Sequence, residues 1–288
     1  MTLKMEKLSI GVVGAGTMGG GIVQVLSRAA CVENIFWYGR TVQSVTSSKK
    51  EIEDRLRNLT KKNRMLKEEC DAAIAKISIV SNVSDMRICN CIIEAVSENI
   101  NVKHEIFKLI SGVSNKDMLI ASNTSSLSIT ELASLTLFPE NVVGLHFFNP
   151  APVMMLSEVI AGLATSQETI DWALRFSSEL GKDAVLVNEA PGFIVNRMLI
   201  PMINEAIGIL AEGVASSVEI DKAMRLGANH PIGPLALADL IGNDVCLSIM
   251  ETLHAETGDP KYRAHPLLRK MVRGNRLGRK VNHGFFKY

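Results

Sequence analysis

The chain has 288 residues, 47% hydrophobic and 21% charged, and its 31 basic and 30 acidic side chains leave a formal charge of +1. That length suggests two domains or one large one, and the apolar content excludes intrinsic disorder. Near-neutral charge argues against a nucleic-acid coat, and apolar stretches broken before about 18 residues argue against a membrane-spanning helix. Five cysteines (Cys31, Cys70, Cys89, Cys91 and Cys246) are odd in number and irregular in spacing. They read as free buried thiols in a reducing cytoplasm, with neither a disulfide frame nor a metal site. Cys89 and Cys91 alternate along an apolar run and are expected to share one face of a strand. The amino-terminal stretch MTLKMEKLSIGVVGAGTMG runs from its apolar part into a glycine loop, which is not a signal-peptide layout, so a cytoplasmic location is expected.

In chain order, Leu8–Val13 reads as a strand, followed by a glycine turn and a helix to about Arg28. Ile35–Tyr38 is a second strand, and the charge-rich segment from Val42 to Ala75 is one long helix or two helices with a turn. Further strands are expected at Ile77–Val80, Cys89–Ala95, Met118–Ala121, Val142–His146 and Val185–Val187, with helices at Val102–Ile110, Ile129–Leu135 and Glu168–Leu180. This alternation implies βαβ units and a parallel sheet covered by helices on both faces. After Pro191-Gly192 the pattern is helical, at Phe193–Glu212, Val218–Leu226 and Leu235–Thr257. The fold class is therefore α/β. A Rossmann-type doubly wound domain at 1–188 precedes a smaller all-helical domain at 189–288. Ile200–Leu210 is apolar on most sides, as suits a helix buried against two layers.

Gly14-Ala15-Gly16-Thr17-Met18-Gly19 follows a strand and opens a helix. In this G-x-G-x-x-G spacing Gly14 makes the tight turn, Gly16 admits a pyrophosphate to the backbone and Gly19 lets helix and strand pack closely. The helix N-terminus, with Thr17 and Met18 in its first turn, offers N–H groups and a positive dipole end to the phosphates. An acidic residue about 20 positions on normally binds the adenosine ribose of NAD. Here the second strand ends Tyr38-Gly39-Arg40-Thr41 with no carboxylate at its tip. Arg40 suits a 2′-phosphate, with Thr41 as a second donor, so NADP(H) is favoured. The alternative is a solvated Arg40, with Glu33 or a backbone group serving NAD(H).

Polar clusters then recur at strand ends and helix starts: Ser122-Asn123-Thr124-Ser125-Ser126, His146-Phe147-Phe148-Asn149-Pro150, Glu158 and Pro191-Gly192-Phe193-Ile194-Val195-Asn196. Ligand sites of open parallel sheets lie beyond the carboxyl ends of strands, so these clusters are expected at the cofactor crevice. In these motifs, and in IDKAMRLGANHPIGPL and LGRKVNHGFF, the chain resembles the 3-hydroxyacyl-CoA dehydrogenases, most closely the bacterial 3-hydroxybutyryl-CoA dehydrogenases. The resemblance covers nearly the whole chain. It implies hydride transfer between C3 of a 3-hydroxyacyl-CoA and a nicotinamide ring, and a helical domain that makes a homodimer or higher oligomer. The substrate pair implied is acetoacetyl-CoA and (S)-3-hydroxybutyryl-CoA.

The resemblance also implies roles. His146 matches the family's catalytic histidine and Glu158 its acidic partner, an arrangement suited to proton transfer near neutral pH. Ser125 matches the serine that holds the reacting oxygen, Asn196 the asparagine that binds substrate oxygens, and Asn149 a residue near the thioester. Asn123, Glu98 and Lys103 match stretches near the cofactor. Between Lys49 and Lys67, eight basic and three acidic side chains leave an excess of five positive charges. Relatives meet the coenzyme A nucleotide in this region, and Lys61 and Lys62 are the first residues expected to do so. Two departures stand out. Gly39-Arg40 departs from typical NAD use, and Met155 and Ser157 replace a common Lys and Val, which would alter local polarity beside Glu158. Other readings are a dehydrogenase of a hydroxy acid or sugar acid without coenzyme A, and a nucleotide-binding protein without turnover. No metal, nucleic acid or membrane is expected to take part.

Overall fold

In the computed structural model the described residues are Met5 and 7–288; part of the amino-terminal stretch read above for targeting lies outside them. Leu8–Val13 forms β1, an apolar run buried almost throughout, as a central parallel strand requires. It leads into α1 (Thr17–Arg28), β2 (Val32–Tyr38), α2 (Val42–Lys61), α3 (Lys67–Ala75) and β3 (Ile77–Ile79). Two helices with a turn thus occupy Val42–Ala75. A short 3-10 segment, Val83–Ile88, precedes β4 (Cys91–Glu94). Then come α4 (Ile100–Ser111), β5 (Leu119–Ser122), α5 (Ile129–Ala133), β6 (Val142–Phe147), β7 (Leu156–Ala161), α6 (Gln167–Glu179) and β8 (Asp183–Asn188).

The eight strands form one sheet in the order β3-β2-β1-β4-β5-β6-β7-β8. The first six are the doubly wound arrangement, with its switch point between β1 and β4. The expected parallel sheet needs one correction: β7 runs antiparallel to β6, and β8 is parallel to β7. The connector 148–155 is too short for the crossover of about a dozen residues that a parallel neighbour demands. The strand β7 itself was not anticipated, because Ser157 and Glu158 interrupt its apolar pattern although both are buried. Cys89 lies outside β4, at the end of the 3-10 segment, so it does not share a strand face with Cys91. All five cysteines are free and buried, as expected.

The chain divides into two compact units, Met1–Glu189 and Ala190–Tyr288. The second is helical: α7 (Val195–Ala211), α8 (Ser217–Gly227), α9 (Pro234–Ile241), α10 (Asn243–Thr257) and α11 (Pro266–Arg273). The α7 helix begins four residues after Pro191, behind a turn with Gly192 and Phe193 at positive φ. The single helix expected at Leu235–Thr257 breaks at Gly242, whose φ of 108° no helix accommodates. Its core comprises Ile200, Ile203, Ile207, Leu235, Cys246, Met250 and Leu253 among others, so the apolar α7 does pack into that unit as expected.

Two buried aspartates organise this unit. Asp221 accepts from the Leu235 and Ala236 amides at the start of α9, at 2.8 and 2.9 Å. Asp239, 1% exposed, accepts from the Phe285 and Phe286 amides at 2.9 Å each and from the Tyr288 hydroxyl at 3.2 Å. The carboxyl-terminal segment is thereby tied to α9. Asp239→Ala leaves these part-buried donors without their acceptor and is expected to destabilise the protein by about 2 kcal/mol, read as a lower midpoint in denaturant unfolding; an unchanged midpoint would show that the tether contributes nothing.

Candidate active site

The glycine loop is shaped by contacts that leave no room for side chains. Gly14 sits at φ 121°, and a Cβ there would lie 2.3 Å from the Ala95 carbonyl oxygen. A Cβ on Gly19 would lie 2.1 Å from the Gly14 carbonyl oxygen. Gly16 is different: a Cβ there would meet nothing within 4 Å. Gly16 is also the N-cap of α1, whose cap has no side-chain hydrogen bond and whose first turn holds no acidic residue. Open space over a helix N-terminus fits a pyrophosphate. The loop is fixed from below by Trp37, whose indole Nε1 donates to the Gly14 carbonyl at 2.8 Å. It is fixed from the side by Ser48, whose hydroxyl donates to the Ala15 carbonyl at 2.8 Å. Neither anchor was found by sequence reasoning, since a core tryptophan and a helix serine carry no motif.

At the tip of β2, a Cβ on Gly39 would approach the Val45 methyl at 2.7 Å and the Ala15 methyl at 3.1 Å. The missing side chain at 39 therefore has a packing cause. Arg40 and Thr41 are exposed beside it. The Thr41 hydroxyl oxygen caps α2 by accepting from the Ser44 amide at 3.2 Å. The alternative in which Glu33 serves the ribose is overturned: Glu33 stands at the start of β2, the far end of the strand from the glycine loop.

His146 and Glu158 are direct cross-strand partners on β6 and β7. Residues so paired share a face, which brings their side chains together. His146 Nδ1 lies 2.8 Å from Glu158 Oε2, with side-chain exposures of 8% and 1%. The Phe148 ring packs against the imidazole at a centroid distance of 4.4 Å. Ser157 pairs with Phe147 and faces the opposite side of β7 from Glu158. Its buried hydroxyl has no hydrogen-bond partner among the described residues, and Met155 is 59% exposed.

Asn123 follows β5; its side-chain oxygen accepts from the Phe147 amide at 2.9 Å and so joins the ends of β5 and β6. Ser125 lies two residues on, with its hydroxyl 3.0 Å from Glu98 Oε1. Glu98 also accepts from the Thr124 hydroxyl and the Ser125 amide, at 2.7 Å each. Burial alone would raise its pKa, but the Lys103 ammonium and these hydrogen bonds outweigh that and hold the carboxyl below the ordinary range. Lys103 is not placed as a wall of the crevice. It is 1% exposed, and its ammonium meets Glu94 at 2.7 and 2.9 Å and Glu98 at 3.4 Å. The fully buried Glu94 was passed over in the sequence because one charge at the end of an apolar run carries no signal of depth.

The remaining expected residues belong to other segments of the chain. Asn149 is exposed and precedes Pro150 through a cis bond. Asn196 is half-buried in the first turn of α7, in the second unit. Lys61 and Lys62 are exposed at the carboxyl end of α2. The basic strip is thinner than its composition suggests, because Lys49 donates to the Ile77 carbonyl at 2.8 Å and Arg55 pairs with Glu51 at 3.0 Å. Lys182 is a further polar residue that sequence reasoning missed. Buried to 7%, it donates to the Ala151 and Met154 carbonyls at 2.7 Å each, clasping the connector between β6 and β7. Burial lowers its pKa.

Comparison with known proteins adds an independent line. Residues 9–190 match the 3-hydroxyacyl-CoA dehydrogenase NAD binding domain, and residues 192–288 match the C-terminal domain of the same family. The chain is 49% identical over 281 residues to the 3-hydroxybutyryl-CoA dehydrogenase of Clostridioides difficile, covering 98% of this chain and 99% of that one. It is 39% identical to the human mitochondrial hydroxyacyl-coenzyme A dehydrogenase, over 96% of this chain and 90% of that one. The crystal structure of (S)-3-hydroxybutyryl-CoA dehydrogenase from Ralstonia eutropha superposes with a TM-score of 0.93 at 44% identity, covering 98% of this chain and 99% of that chain.

The depressed pKa of Glu98 has a stability consequence. Its contribution is fully present above the unfolded value near 4.5 and is lost as pH falls through the lower folded value. Glu98→Gln is therefore expected to be less stable than wild type above that pH, with the gap closing in acid. Urea unfolding across this range checks it, and a gap of constant size would count against the assignment.

Proposed function

Because the chain belongs to the 3-hydroxyacyl-CoA dehydrogenase family, we propose that it interconverts acetoacetyl-CoA and (S)-3-hydroxybutyryl-CoA, working chiefly in reduction with NADPH. The observation that carries this reading is the buried His146–Glu158 pair, set across β6 and β7 at a nitrogen–oxygen distance of 2.8 Å. When bound, the nicotinamide supplies or accepts the hydride at C3. Glu158 accepts from Nδ1, which fixes the tautomer and leaves Nε2 to handle the proton. In the direction of oxidation Nε2 takes the hydroxyl proton; in reduction the imidazolium returns a proton to the carbonyl oxygen. Ser125 and Asn196 hold the reacting oxygen, and Asn149 orients the thioester. Lys61 and Lys62 draw in the phosphates of coenzyme A. The helical second unit makes the homodimer.

Cofactor choice depends on Arg40. With no carboxylate at the β2 tip, an exposed guanidinium is the charged group nearest in sequence to the position of the 2′-substituent, and it suits a phosphate there. Gly39 carries no carboxylate that would repel that phosphate, and its position is closely packed by Val45 and Ala15.

Rates of NADPH and NADH oxidation with acetoacetyl-CoA test the reading. Wild type is expected to show the higher kcat/KM with NADPH; a clear NADH preference would remove the cofactor assignment. His146→Gln should lose roughly 10³-fold in kcat while still binding cofactor, and a mutant at full rate would defeat the catalytic assignment. Arg40→Ala should raise KM for NADPH about tenfold and leave that for NADH unchanged. Equal effects on both cofactors would show that Arg40 does not read the 2′-phosphate.

A further inference from the structure

A chain of charged groups runs inward from Ser125, and neither cofactor nor substrate contact explains its inner end. Glu94 closes β4 and is 0% exposed. Its carboxylate accepts from the Val96 amide at 2.7 Å, the Ser122 hydroxyl at 2.6 Å and the Lys103 ammonium at 2.7 and 2.9 Å. A carboxylate at that depth persists only when paired and hydrogen-bonded on every side. Lys103 then continues outward to Glu98. One ammonium does not neutralise two carboxylates, so negative charge remains on Glu98. That charge gathers the donors of the 124–126 loop: the Thr124 hydroxyl, the amides of Ser125 and Ser126, and both their hydroxyls, at 2.7 to 3.3 Å.

The direction of the last bond has chemical content. An ionised carboxylate accepts and cannot donate. In its bond to Glu98, the Ser125 hydroxyl is the donor and turns its lone pairs to whatever else it meets. To hold a carbonyl oxygen, which has only lone pairs, the hydroxyl must swing its proton from Glu98 to the substrate, while Glu98 keeps Ser125 in place through the loop amides. The proton exchanged in the reaction passes directly between the substrate oxygen and the imidazole.

We propose that Glu94 is a positioning residue for this reaction. It holds Lys103, Lys103 holds Glu98, and Glu98 fixes the place of Ser125. The inference rests on the reading of Ser125 as the residue that holds the reacting oxygen. With glutamine at 94, the amide NH2 faces donors, the Lys103 ammonium shifts to Glu98, and the 122–126 loop is loosened at both anchors.

A double-mutant cycle on the full chain tests this, using acetoacetyl-CoA at saturating cofactor. Glu94→Gln is expected to lower kcat by between ~10-fold and ~100-fold, the scale of a displaced catalytic group. In the Ser125→Ala background the same substitution should cost less than about twofold, because the path it acts through is gone. Losses that multiply would mean that Glu94 acts on the fold at large, and a Glu94→Gln rate within about twofold of wild type would equally overturn the proposal. Should Glu94→Gln fail to fold, Glu98→Gln enters the cycle under the same criterion. Amide hydrogen exchange at Ser125 and Ser126 gives a readout that needs no turnover. Faster exchange in the variant supports the chain of positioning, and unchanged exchange overturns it. Failure of wild type to reduce acetoacetyl-CoA would instead defeat the functional reading and leave the exchange result to decide this one.

Discussion

Between β6 and β7 the chain turns back on itself, and that reversal sets His146 directly across from Glu158. In the parallel strands of the same sheet, successive strands are joined by long connections, and residues so close in sequence never become neighbours across a ladder. Here residues 12 apart in sequence share a face and a hydrogen bond. The register must hold to within one residue, since a slip of one would turn Glu158 to the other face. Lys182 acts on this connector by binding two of its carbonyls, and Asn123 acts on the other side by binding the Phe147 amide. The His146–Glu158 pair is thus held by the sheet, with the loop after His146 braced by a buried ammonium.

Depth is what makes the pair and its neighbours work and what makes them costly. Glu94, Lys103, Glu158 and Lys182 are all at most 7% exposed. Removing one member of such a set leaves the other uncompensated, at a cost of several kcal/mol. Glu94 and Lys103 are therefore mutually obligatory, as are Glu158 and His146, whereas Lys182 is held by backbone carbonyls. By contrast, the surface strip on α2 has lost two of its cations to local partners. The cations that remain there are exposed, and any pull that such charges exert on an anion is screened by salt.

Much of this was legible in the sequence. The glycine loop announced itself through spacing and through the strand before it. The elements from β1 to β6 followed from apolar runs that a doubly wound sheet must bury on both faces. The strand β7 was hidden for a physical reason: two of its buried residues, Ser157 and Glu158, are polar, so its pattern does not look like a strand. The break at Gly242 was hidden because the apolar pattern continues across it and only φ betrays the corner. Trp37, Glu94 and Lys182 were hidden because their partners lie 23, 28 and 31 residues away in the chain. Local spacing carries no trace of such contacts. Gly39, which the sequence marks only by its missing charge, also sits in a closely packed position, where a Cβ would lie 2.7 Å from a Val45 methyl.

That last point bears on how strong a preference for NADP(H) the proposed site can generate. Discrimination between two ligands needs attraction to one, repulsion of the other, or both. An acidic β2 tip would do both, by binding a ribose hydroxyl and repelling a 2′-phosphate. This tip has only the attractive half, an exposed arginine. Nothing on it penalises a hydroxyl, because no buried group is left unpaired when the phosphate is missing. The preference is then one-sided: NADPH gains an ion pair that NADH lacks, while NADH is not rejected. An exposed ion pair is also screened by salt over a Debye length of about 8 Å at physiological ionic strength. The ratio of the two cofactor efficiencies should therefore fall as salt rises, toward the value set by the glycine loop, which treats both dinucleotides alike.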